Sequence, residues 1–531
     1  MDHATALPII DTYDGQQCRR AVVSLPITNV PEGWERLSIL LENMATASPP
    51  AVDYLDVLEL ARAPLAFLQG ETSHAYAAKP LPPSEEETLA FERVVWLWRA
   101  MALSYARVAQ IGGNEPGIKE RLALICQRCI YYSGQVIIEH YRARRAVGPG
   151  LWLDLHGYYD TAEDWELAEA GVFEPLGLHS RTSSCRQAYA AVLLLDLANP
   201  YSRTPEELVW LTQWAQRFAA HAKIVRPDEE AGSRGYGINL MLDQGVRPVE
   251  TMAGADSARL FDTTEVAPEI QKVLAKLKNG ATPAELGLGE SCHQPVASRL
   301  LLQVYRPWCR TAIARRFERH AASGSLPMVC GFDAIYYFVG DKEFVQPAHV
   351  RMFSRAEMDT LWTFRNQVDP ARPLNVRAVQ LGYTVENWDI ADQSLSGYRL
   401  HRSAAGGRVE HRQLLAVKPG NSDFYLLAEV SWLMQEADGR LHAGINVMPG
   451  RPEAICVRPV GLQVSPSAKY SPAFVLPPVP SLKESASVVL PRGWFHPGRL
   501  IELYTDRQVQ VVLNELLSQG ANFERCSFSA A

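Results

Sequence analysis

Three residues, Asp392, Ser394 and Gly397, carry the clearest ligand-binding chemistry in the sequence. They form the pattern Asp-x-Ser-x-x-Gly in a polar turn between two apolar-rich runs. The aspartate accepts hydrogen bonds and the serine hydroxyl both donates and accepts them, which suits a ring edge rich in N–H donors, such as that of guanine. Gly397 is expected to adopt a positive φ, so that the chain can reverse sharply there. Because the same pattern describes an ordinary tight turn, its meaning depends on the surrounding sequence.

The composition narrows the class of protein that could carry this turn. With 531 residues, 47% apolar and 21% charged, the chain is typical of a soluble protein with two or three domains. A net charge of −7 argues against a nucleic-acid polymer as partner, although a small anionic ligand needs only a local cluster of arginines. The sequence shows neither a signal-peptide pattern nor an apolar run long enough to span a bilayer. Nine scattered cysteines suit a reducing compartment, so we expect a cytoplasmic protein without a membrane span.

The first half of the chain has the periodicity of α-helices. We predict an irregular or extended segment over residues 1–33 and an α-helical region over residues 34–290. Capping boxes at Ser84–Glu87 and Thr204–Glu207 mark the starts of two of its helices. Paired helices with short Gly, Pro and Asn breaks are typical of a repeat-like array, although no fixed period is present. Such an array, without a polar constellation, indicates an interaction module.

The second half has the pattern of β-structure. Met328 to Val339 is rich in β-branched and aromatic residues, which predicts a strand, and Asp438-Gly439 predicts a hairpin. We assign residues 291–463 to a β-rich domain with a leading helix. Residues 464–531 are assigned to a proline-rich linker and a C-terminal extension, in which Gln508 to Leu517 is predicted to form a helix.

Four consecutive segments of this β-rich region resemble a PilZ domain. They are Asp392-Gln393-Ser394-Leu395-Ser396-Gly397, Gln413-Leu414-Leu415-Ala416-Val417-Lys418-Pro419-Gly420, Ala428-Glu429-Val430-Ser431-Trp432-Leu433 and His442-Ala443-Gly444-Ile445-Asn446-Val447. Their order and spacing match over roughly residues 386–460. The resemblance implies a six-stranded β-barrel that binds the bacterial second messenger cyclic di-GMP. The expected fold class is therefore α+β: a large helical, repeat-like N-terminal region, a PilZ-type barrel with an insertion at 340–385, and a C-terminal β extension. The whole arrangement also resembles long proteobacterial PilZ proteins with a helical N-terminal region.

The resemblance also implies an Arg-x-x-x-Arg motif just before the first barrel strand. Arg315 and Arg319 fit it, and they are preferred because a predicted strand follows them. Two rival pairs, Arg351/Arg355 and Arg372/Arg377, stay open. Arg316 and Arg399 are further candidates for the ligand site. The chemistry is suitable, since a guanidinium pairs with guanine O6/N7 or phosphate and stacks on purine faces. A solvated helix end, where basic side chains are favourable, is the alternative interpretation of Arg315 and Arg319.

Two functional hypotheses follow. In the first, the chain is a cytoplasmic cyclic di-GMP receptor whose arginine segment, mobile in the free protein, closes over the ligand while the helical region signals to a protein partner. In the second, it is an interaction or scaffold protein with a degenerate barrel that binds no nucleotide. We expect no catalytic residues, no metal site and no cofactor, because no P-loop, Gly-x-Ser-x-Gly or correctly placed Gly-x-Gly-x-x-Gly is present.

Two further motifs are interpreted as structural. Cys126-Gln127-Arg128-Cys129 is a CxxC within a helical pattern, without a second ligand pair at zinc spacing. His156 lies among aromatic residues of one predicted helix and is interpreted as a core histidine with satisfied hydrogen bonds.

Overall fold

The computed structural model describes most of the chain and divides it into two units. The described residues are 11–177, 180–227, 235–249, 256–309, 319–347, 378–420, 422–461, 468–505 and 507–531. Unit 1 comprises Met1–Lys79 and Pro83–Arg315, and unit 2 comprises Pro80–Pro82 and Arg316–Ala531. The three residues Pro80–Pro82 thus belong to unit 2, although the chain on both sides of them belongs to unit 1.

The described part of unit 1 is mainly α-helical, as the periodicity of the apolar residues predicts. Its helices are α1 (Gly15–Val23), α2 (Val30–Thr46), α3 (Ala51–Ser73), α4 (Glu85–Gly112), α5 (Pro116–Lys119), α6 (Leu122–Arg142), α7 (Leu151–Asp164), α8 (Cys185–Leu197), α9 (Pro205–Phe218), α10 (Val266–Lys278) and α11 (Gln294–Cys309). The prediction of irregular or extended structure over residues 1–33 is wrong for residues 15–23 and 30–33, which are helical. Asp14 caps α1 by accepting hydrogen bonds from the backbone N–H groups of Gln16 and Gln17.

Both predicted capping boxes are present. The Ser84 side chain accepts a hydrogen bond from the N–H of Glu87, and the Glu87 carboxylate accepts one from the N–H of Ser84. Thr204 and Glu207 do the same at the start of α9, with Pro205 in the first turn. These bonds satisfy N–H groups that the first turn of a helix leaves without a partner, and this fixes where α4 and α9 begin.

Short strands complete the described part of unit 1. They are β1 (Val172–Phe173), β2 (Thr182–Ser183), β3 (Lys223–Val225), β4 (Tyr236–Asn239), β5 (Arg247–Pro248) and β6 (Ala258–Asp262). The strands β1 and β2 form a hairpin, and the other four form a sheet in the order β3-β6-β4-β5.

A buried ionic network fixes the β1–β2 hairpin to two helices. Arg62 of α3 contacts both oxygens of Glu174 at 2.8 and 2.9 Å. Arg128 of α6 contacts Glu174 Oε2 at 2.7 Å and the two oxygens of Glu59 at 2.8 and 3.0 Å. Because the two guanidinium groups face two carboxylates, the network as a whole is neutral, as a buried set of charges needs to be.

Unit 2 begins with a β-barrel that contains the Asp-x-Ser-x-x-Gly turn. Its strands are β7 (His320–Ala321), β8 (Ser325–Cys330), β9 (Val385–Ser394), β10 (Gly397–Arg402), β11 (Leu414–Val417), β12 (Leu426–Gln435) and β13 (Leu441–Val447). The sheet order is β10-β13-β12-β11-β8-β9-β7, and β9 also pairs with β10. The six strands β8–β13 therefore form a closed ring, and β7 adds to the outside of β9. We call this ring the first barrel.

The predicted strand Met328 to Val339 is correct only for its first part. The strand β8 ends at Cys330, Gly331 adopts a φ of +91°, and residues Phe332–Gly340 form helix α12. This helix is apolar almost all round, because it packs against β11 of the first barrel and against strands β14 (Glu453–Pro459) and β15 (Ser471–Leu476). Such a helix shows no polar face, and so its sequence resembles a buried strand. The predicted insertion falls between β8 and β9, and its residues 348–377 lie outside the described part of the chain.

The segment Pro80–Pro82 completes the core of the first barrel. Leu81 and Val409 exchange two backbone hydrogen bonds of 2.8 and 2.7 Å. The Leu81 side chain is 2% exposed and packs with core residues of the barrel such as Trp388 and Leu400. Arg408 Nη2 donates to the carbonyl of Pro80 at 2.7 Å.

A second closed barrel includes most of the predicted linker and C-terminal extension and also β14, which the prediction placed in the 291–463 domain. Its remaining strands are β16 (Ser487–Pro491), β17 (Leu500–Tyr504), β18 (Gln508–Gln519) and β19 (Phe523–Ala530). The ring order is β14-β15-β16-β19-β18-β17. The prediction of a helix over Gln508 to Leu517 is wrong, because these residues belong to β18. The predicted fold class, a helical region followed by a six-stranded barrel and a β extension, is confirmed.

Among the described residues, none of the helices combines the length and apolarity that a bilayer crossing requires. Within the same residues, no group of three or more His, Cys, Asp or Glu side chains is arranged to hold a metal ion.

Candidate functional site

The predicted acid and hydroxyl lie on one hairpin of the first barrel. Asp392 and Ser394 are at the end of β9, Leu395 and Ser396 form the loop, and Gly397 begins β10. Asp392 is directly opposite Arg399 of β10 and, on its other side, opposite Ala321 of β7. The register shifts just after Arg399, so that Leu400 pairs with Ile390 and Ala391 is left over as a bulge.

Asp392 has two arginine partners in the structure. Arg319 Nη1 donates to Asp392 Oδ1 at 2.7 Å, and Arg399 Nη1 is 3.9 Å from Asp392 Oδ2. The side chains of Asp392, Arg319 and Arg399 are 20%, 28% and 48% exposed. The structure therefore brings together three of the residues that the sequence predicts for the site. Solvent reaches all three, so they are accessible to a ligand.

The role predicted for Gly397 is wrong in its mechanism. Gly397 does not adopt a positive φ. A Cβ at this position would lie 2.1 Å from the backbone oxygen of Ile445 in β13, so a glycine is required for the close approach of two strands. Ser394 Oγ donates to the Gly397 carbonyl at 3.3 Å, which keeps the hydroxyl within the turn.

Trp432 is a residue that the sequence analysis did not assign to the site. Arg399 is directly opposite Gly444 of β13, and Gly444 is directly opposite Trp432 of β12. Residues paired in this way point to the same face of a sheet. The indole of Trp432 lies over Gly444, where a Cβ would be only 1.9 Å from Trp432 Nε1. The signal for Trp432 is thus the pairing of an outward tryptophan with a strand glycine, which can be interpreted only when the strand register is known.

Asp392, Arg399, Gly444 and Trp432 form a continuous row across four strands, which we call the site row. The next row contains His401 and His442, whose rings are stacked with centroids 5.8 Å apart. Burial lowers the pKa of His442, with Arg399, His401 and Arg440 acting in the same direction and Glu436 opposing them. Burial thus disfavours the charged form of His442, and the guanidinium groups at the site are those of Arg399 in the site row and Arg319 beside it.

The other predicted arginines cannot be placed. Arg315 and Arg316 lie within 310–318, and the rival pairs Arg351/Arg355 and Arg372/Arg377 lie within 348–377. Both ranges are outside the described residues. The choice between the three pairs stays a prediction, although the position of Arg319 beside Asp392 is in line with the preferred pair.

The two motifs interpreted as structural are in fact buried. Cys126 and Cys129 are free thiols in the core, and burial raises the pKa of Cys126 to about 11. His156 Nε2 donates to the carbonyl of Gln244 at 3.0 Å, and Nδ1 accepts from the hydroxyl of Tyr189 at 2.7 Å. Both ring nitrogens of His156 are therefore used within the core.

Taken together, the fold and the site row define a class: a protein with a helical region and two closed barrels, the first of which presents two guanidinium groups, a carboxylate and an indole on its surface. These groups suit an anionic ligand with aromatic rings.

Comparison with known proteins shows which proteins this chain is similar to. Residues 16–229 match the family model described as the N-terminal domain of the cyclic-di-GMP receptor FimW, and residues 455–531 match the FimW C-terminal beta-barrel domain. The protein named "Cyclic-di-GMP receptor FimW" from Pseudomonas aeruginosa is 22% identical over 559 residues, which cover 96% of this chain and 89% of the relative. The second matched range coincides with the second barrel, and the site row lies between the two ranges.

Proposed function

We propose that this chain is a cytoplasmic receptor for cyclic di-GMP, that its first barrel is a PilZ domain, and that the helical region relays binding to a protein partner. Three findings support the proposal: the similarity to a protein named as a cyclic-di-GMP receptor, the matches to two domains of that family, and the site row. The observation that carries it is the contact of Arg319 with Asp392 beside Arg399.

The proposed binding step is an exchange of partners by the arginines. The Arg319–Asp392 pair is only partly buried, and Arg399, at 3.9 Å, makes no hydrogen bond to Asp392, so both arginines can exchange this carboxylate for a ligand. Each guanidinium would then make paired, charge-assisted hydrogen bonds to a ligand phosphate or to guanine O6/N7. The released Asp392 carboxylate would accept hydrogen bonds from the N1–H and 2-amino group of a guanine. Asp392 and Arg399 lie on the β9–β10 hairpin, and Arg319 directly precedes β7, which pairs with β9.

Residues adjacent to Arg319 and Arg399 would provide two further ligand contacts. Because Arg319 directly follows the segment that carries Arg315 and Arg316, its movement to the ligand would bring those arginines to the same phosphates. The Trp432 indole, which lies over Gly444 between β12 and Arg399 in the site row, offers a flat surface on which a guanine can stack.

Isothermal titration calorimetry with cyclic di-GMP tests the proposal. We expect binding by the full chain, weakened about 10- to 100-fold by Arg319→Ala or by Asp392→Ala, since each removes charge-assisted hydrogen bonds worth about 1.5–3 kcal/mol. Arg440→Ala is the control, because Arg440 forms a more exposed ion pair of similar length with Asp438 at another hairpin of the same barrel. Absence of binding heat from correctly folded wild-type protein would favour the alternative hypothesis of a degenerate barrel.

A further inference from the structure

A cavity in unit 1 is not used by the proposed nucleotide site. Its volume is about 630 Å³, within the range of protein ligand sites. It is bounded by α6, α8 and α9, by the β1–β2 hairpin and by residues 284–287. A cavity of this size, located within the helical region, is a candidate for the place where that region binds another molecule.

Each of the three helices turns one face into the cavity. The lining residues recur at intervals of four: Gln127, Tyr131 and Gln135 on α6, Gln187, Ala191 and Leu195 on α8, and Thr212 and Gln216 on α9, with Ala220 in the turn that follows α9. Residues at this spacing share one helix face. The faces combine carboxamides with small or aliphatic side chains, so the cavity has hydrogen-bonding groups above an apolar floor.

The wall of the cavity carries no excess of charge. Glu174 lines it, but its carboxylate is held by Arg62 and Arg128. Arg217 and Glu285, the other charged residues that line the cavity, are one of each sign. The cavity therefore offers no excess opposite charge to offset the desolvation of an ion. An uncharged ligand has a much smaller desolvation free energy.

Three carboxamides in the wall have unused hydrogen-bonding capacity. Gln135, Gln187 and Gln216 line the cavity, one on each helix, and their side chains have no hydrogen-bond partner among the described residues. A carboxamide offers a donor and an acceptor together, which is the complement of a peptide group. The three side chains can therefore hold a polypeptide by its backbone.

The distance between the packed helices can be compared with the repeat lengths of the two extended peptide conformations. Helix α8 packs against both α6 and α9, and packed helices lie about 8–10 Å apart. A polyproline II helix repeats every three residues of ~3.1 Å, or about 9.3 Å, which falls within this range of distances between packed helices. A β-strand repeats every two residues, or about 6.6 Å, and does not match.

We propose that the cavity binds an uncharged segment of a partner protein in the polyproline II conformation, with one carboxamide holding the backbone at each turn. The proposal rests on the proposed function insofar as the helical region contacts a partner. Polyproline II segments are preformed, so little conformational entropy is lost on binding, and they dock on aromatic residues such as Tyr131.

Selection from a phage-displayed library of random nonapeptides tests this proposal. The full chain is used as bait, and phage that also bind the Ala191→Trp variant, whose indole fills the cavity, are removed. We expect enrichment of uncharged peptides that contain proline. No enrichment relative to Ala191→Trp, or enrichment of charged or helix-forming peptides, would overturn the proposal; the former result would indicate a small-molecule site instead.

Milder variants make the test independent of the folding of Ala191→Trp. In fluorescence anisotropy with an enriched peptide, the double variant Gln187→Ala/Gln216→Ala should bind at least tenfold more weakly. The matched control is Gln213→Ala, because Gln213 is on α9 but does not line the cavity. Unchanged binding by the double variant contradicts the role of the carboxamides. Titration of the same variants with cyclic di-GMP separates the two proposals, since failure of peptide binding leaves nucleotide binding intact, and the converse also holds.

Discussion

At the scale of single residues, the Asp392 carboxylate already has cationic partners, and a ligand must therefore compete with them. Arg319 contacts it at 2.7 Å, while Arg399 is 3.9 Å away and half exposed. Competition is favourable for cyclic di-GMP, because its two phosphodiester groups together offer more acceptor oxygens than one carboxylate does, and each can form paired hydrogen bonds with a guanidinium. Asp392 thus holds the arginines near the position in which the ligand needs them.

Trp432 provides a test of the stacking surface. Trp432→Ala should weaken cyclic di-GMP binding about tenfold, because stacking of a base on an aromatic side chain is worth ~1–3 kcal/mol. Trp432→Phe should retain most of the affinity. The measurement is calorimetric titration. Met434→Ala, at the adjacent outward position of β12 opposite His442, is the control; equal effects of Trp432→Ala and Met434→Ala would contradict stacking.

The buried His156 makes stability depend on pH. Burial lowers the pKa of His156, so the unfolded chain binds its proton more readily than the folded chain does. The free energy of unfolding should therefore be constant above the unfolded pKa of about 6.5 and fall as the pH drops below it. Urea unfolding at pH 7.5, 6.5 and 5.5 measures this.

The variant His156→Gln distinguishes the contribution of His156 to the pH dependence of stability from that of other titrating groups. His156→Gln should reduce the loss of stability at acid pH, whereas His74→Gln, at an exposed position, should leave it unchanged. Some loss will persist in His156→Gln, because burial also lowers the pKa of His140. An undiminished loss would show that His156 is not the source.

At the scale of elements, β10 depends on a glycine for its distance from β13. Gly397→Ala would place a Cβ 2.1 Å from the Ile445 oxygen, a contact that only a displacement of the strands can relieve. We expect a loss of a few kcal/mol in unfolding free energy and weaker ligand binding, since Asp392 and Arg399 sit on the displaced hairpin. Gly420→Ala, in open space within the same barrel, should be nearly neutral in thermal unfolding. Similar melting temperatures for both variants would contradict this account.

Some secondary-structure elements and site residues could be predicted from the sequence, and others could not. The helices that begin after Ser84 and Thr204 were predictable, because their caps are local hydrogen bonds between residues three apart. Residues 508–517 were misassigned because Val511 and Leu513 alternate inward only in partnership with β17 and β19. Asp392 and Ser394 could be found from their spacing, whereas Trp432 needed the register of β10, β13 and β12, which is set by long-range pairing.

At the scale of the whole molecule, Leu81 contributes to the core of a barrel whose strands are formed by residues far along the chain. Leu81→Ala should destabilise unit 2 by ~2–5 kcal/mol, the usual cost of removing a fully buried leucine side chain. Leu482→Ala, at a 40% exposed position in the same unit, is the control and should have little effect. Chemical unfolding of the full chain, followed by a probe in the first barrel, measures both. An unfolding free energy unchanged by Leu81→Ala would show that the barrel core is complete without this residue.

The position of Leu81 also has a consequence for synthesis on the ribosome. Pro80 and Arg408, which hydrogen-bond to each other, are 328 residues apart. At ~5–20 residues per second, translation takes roughly 15 to 65 seconds to pass from one to the other. During that interval the nascent chain contains the apolar residue Leu81 while its pairing partner, Val409, has not yet been synthesised. The first barrel can be completed only after Leu81 has met Val409, and β12 and β13 are translated later still. The time at which the barrel is complete is therefore set by translation of the residues that separate its first and last segments.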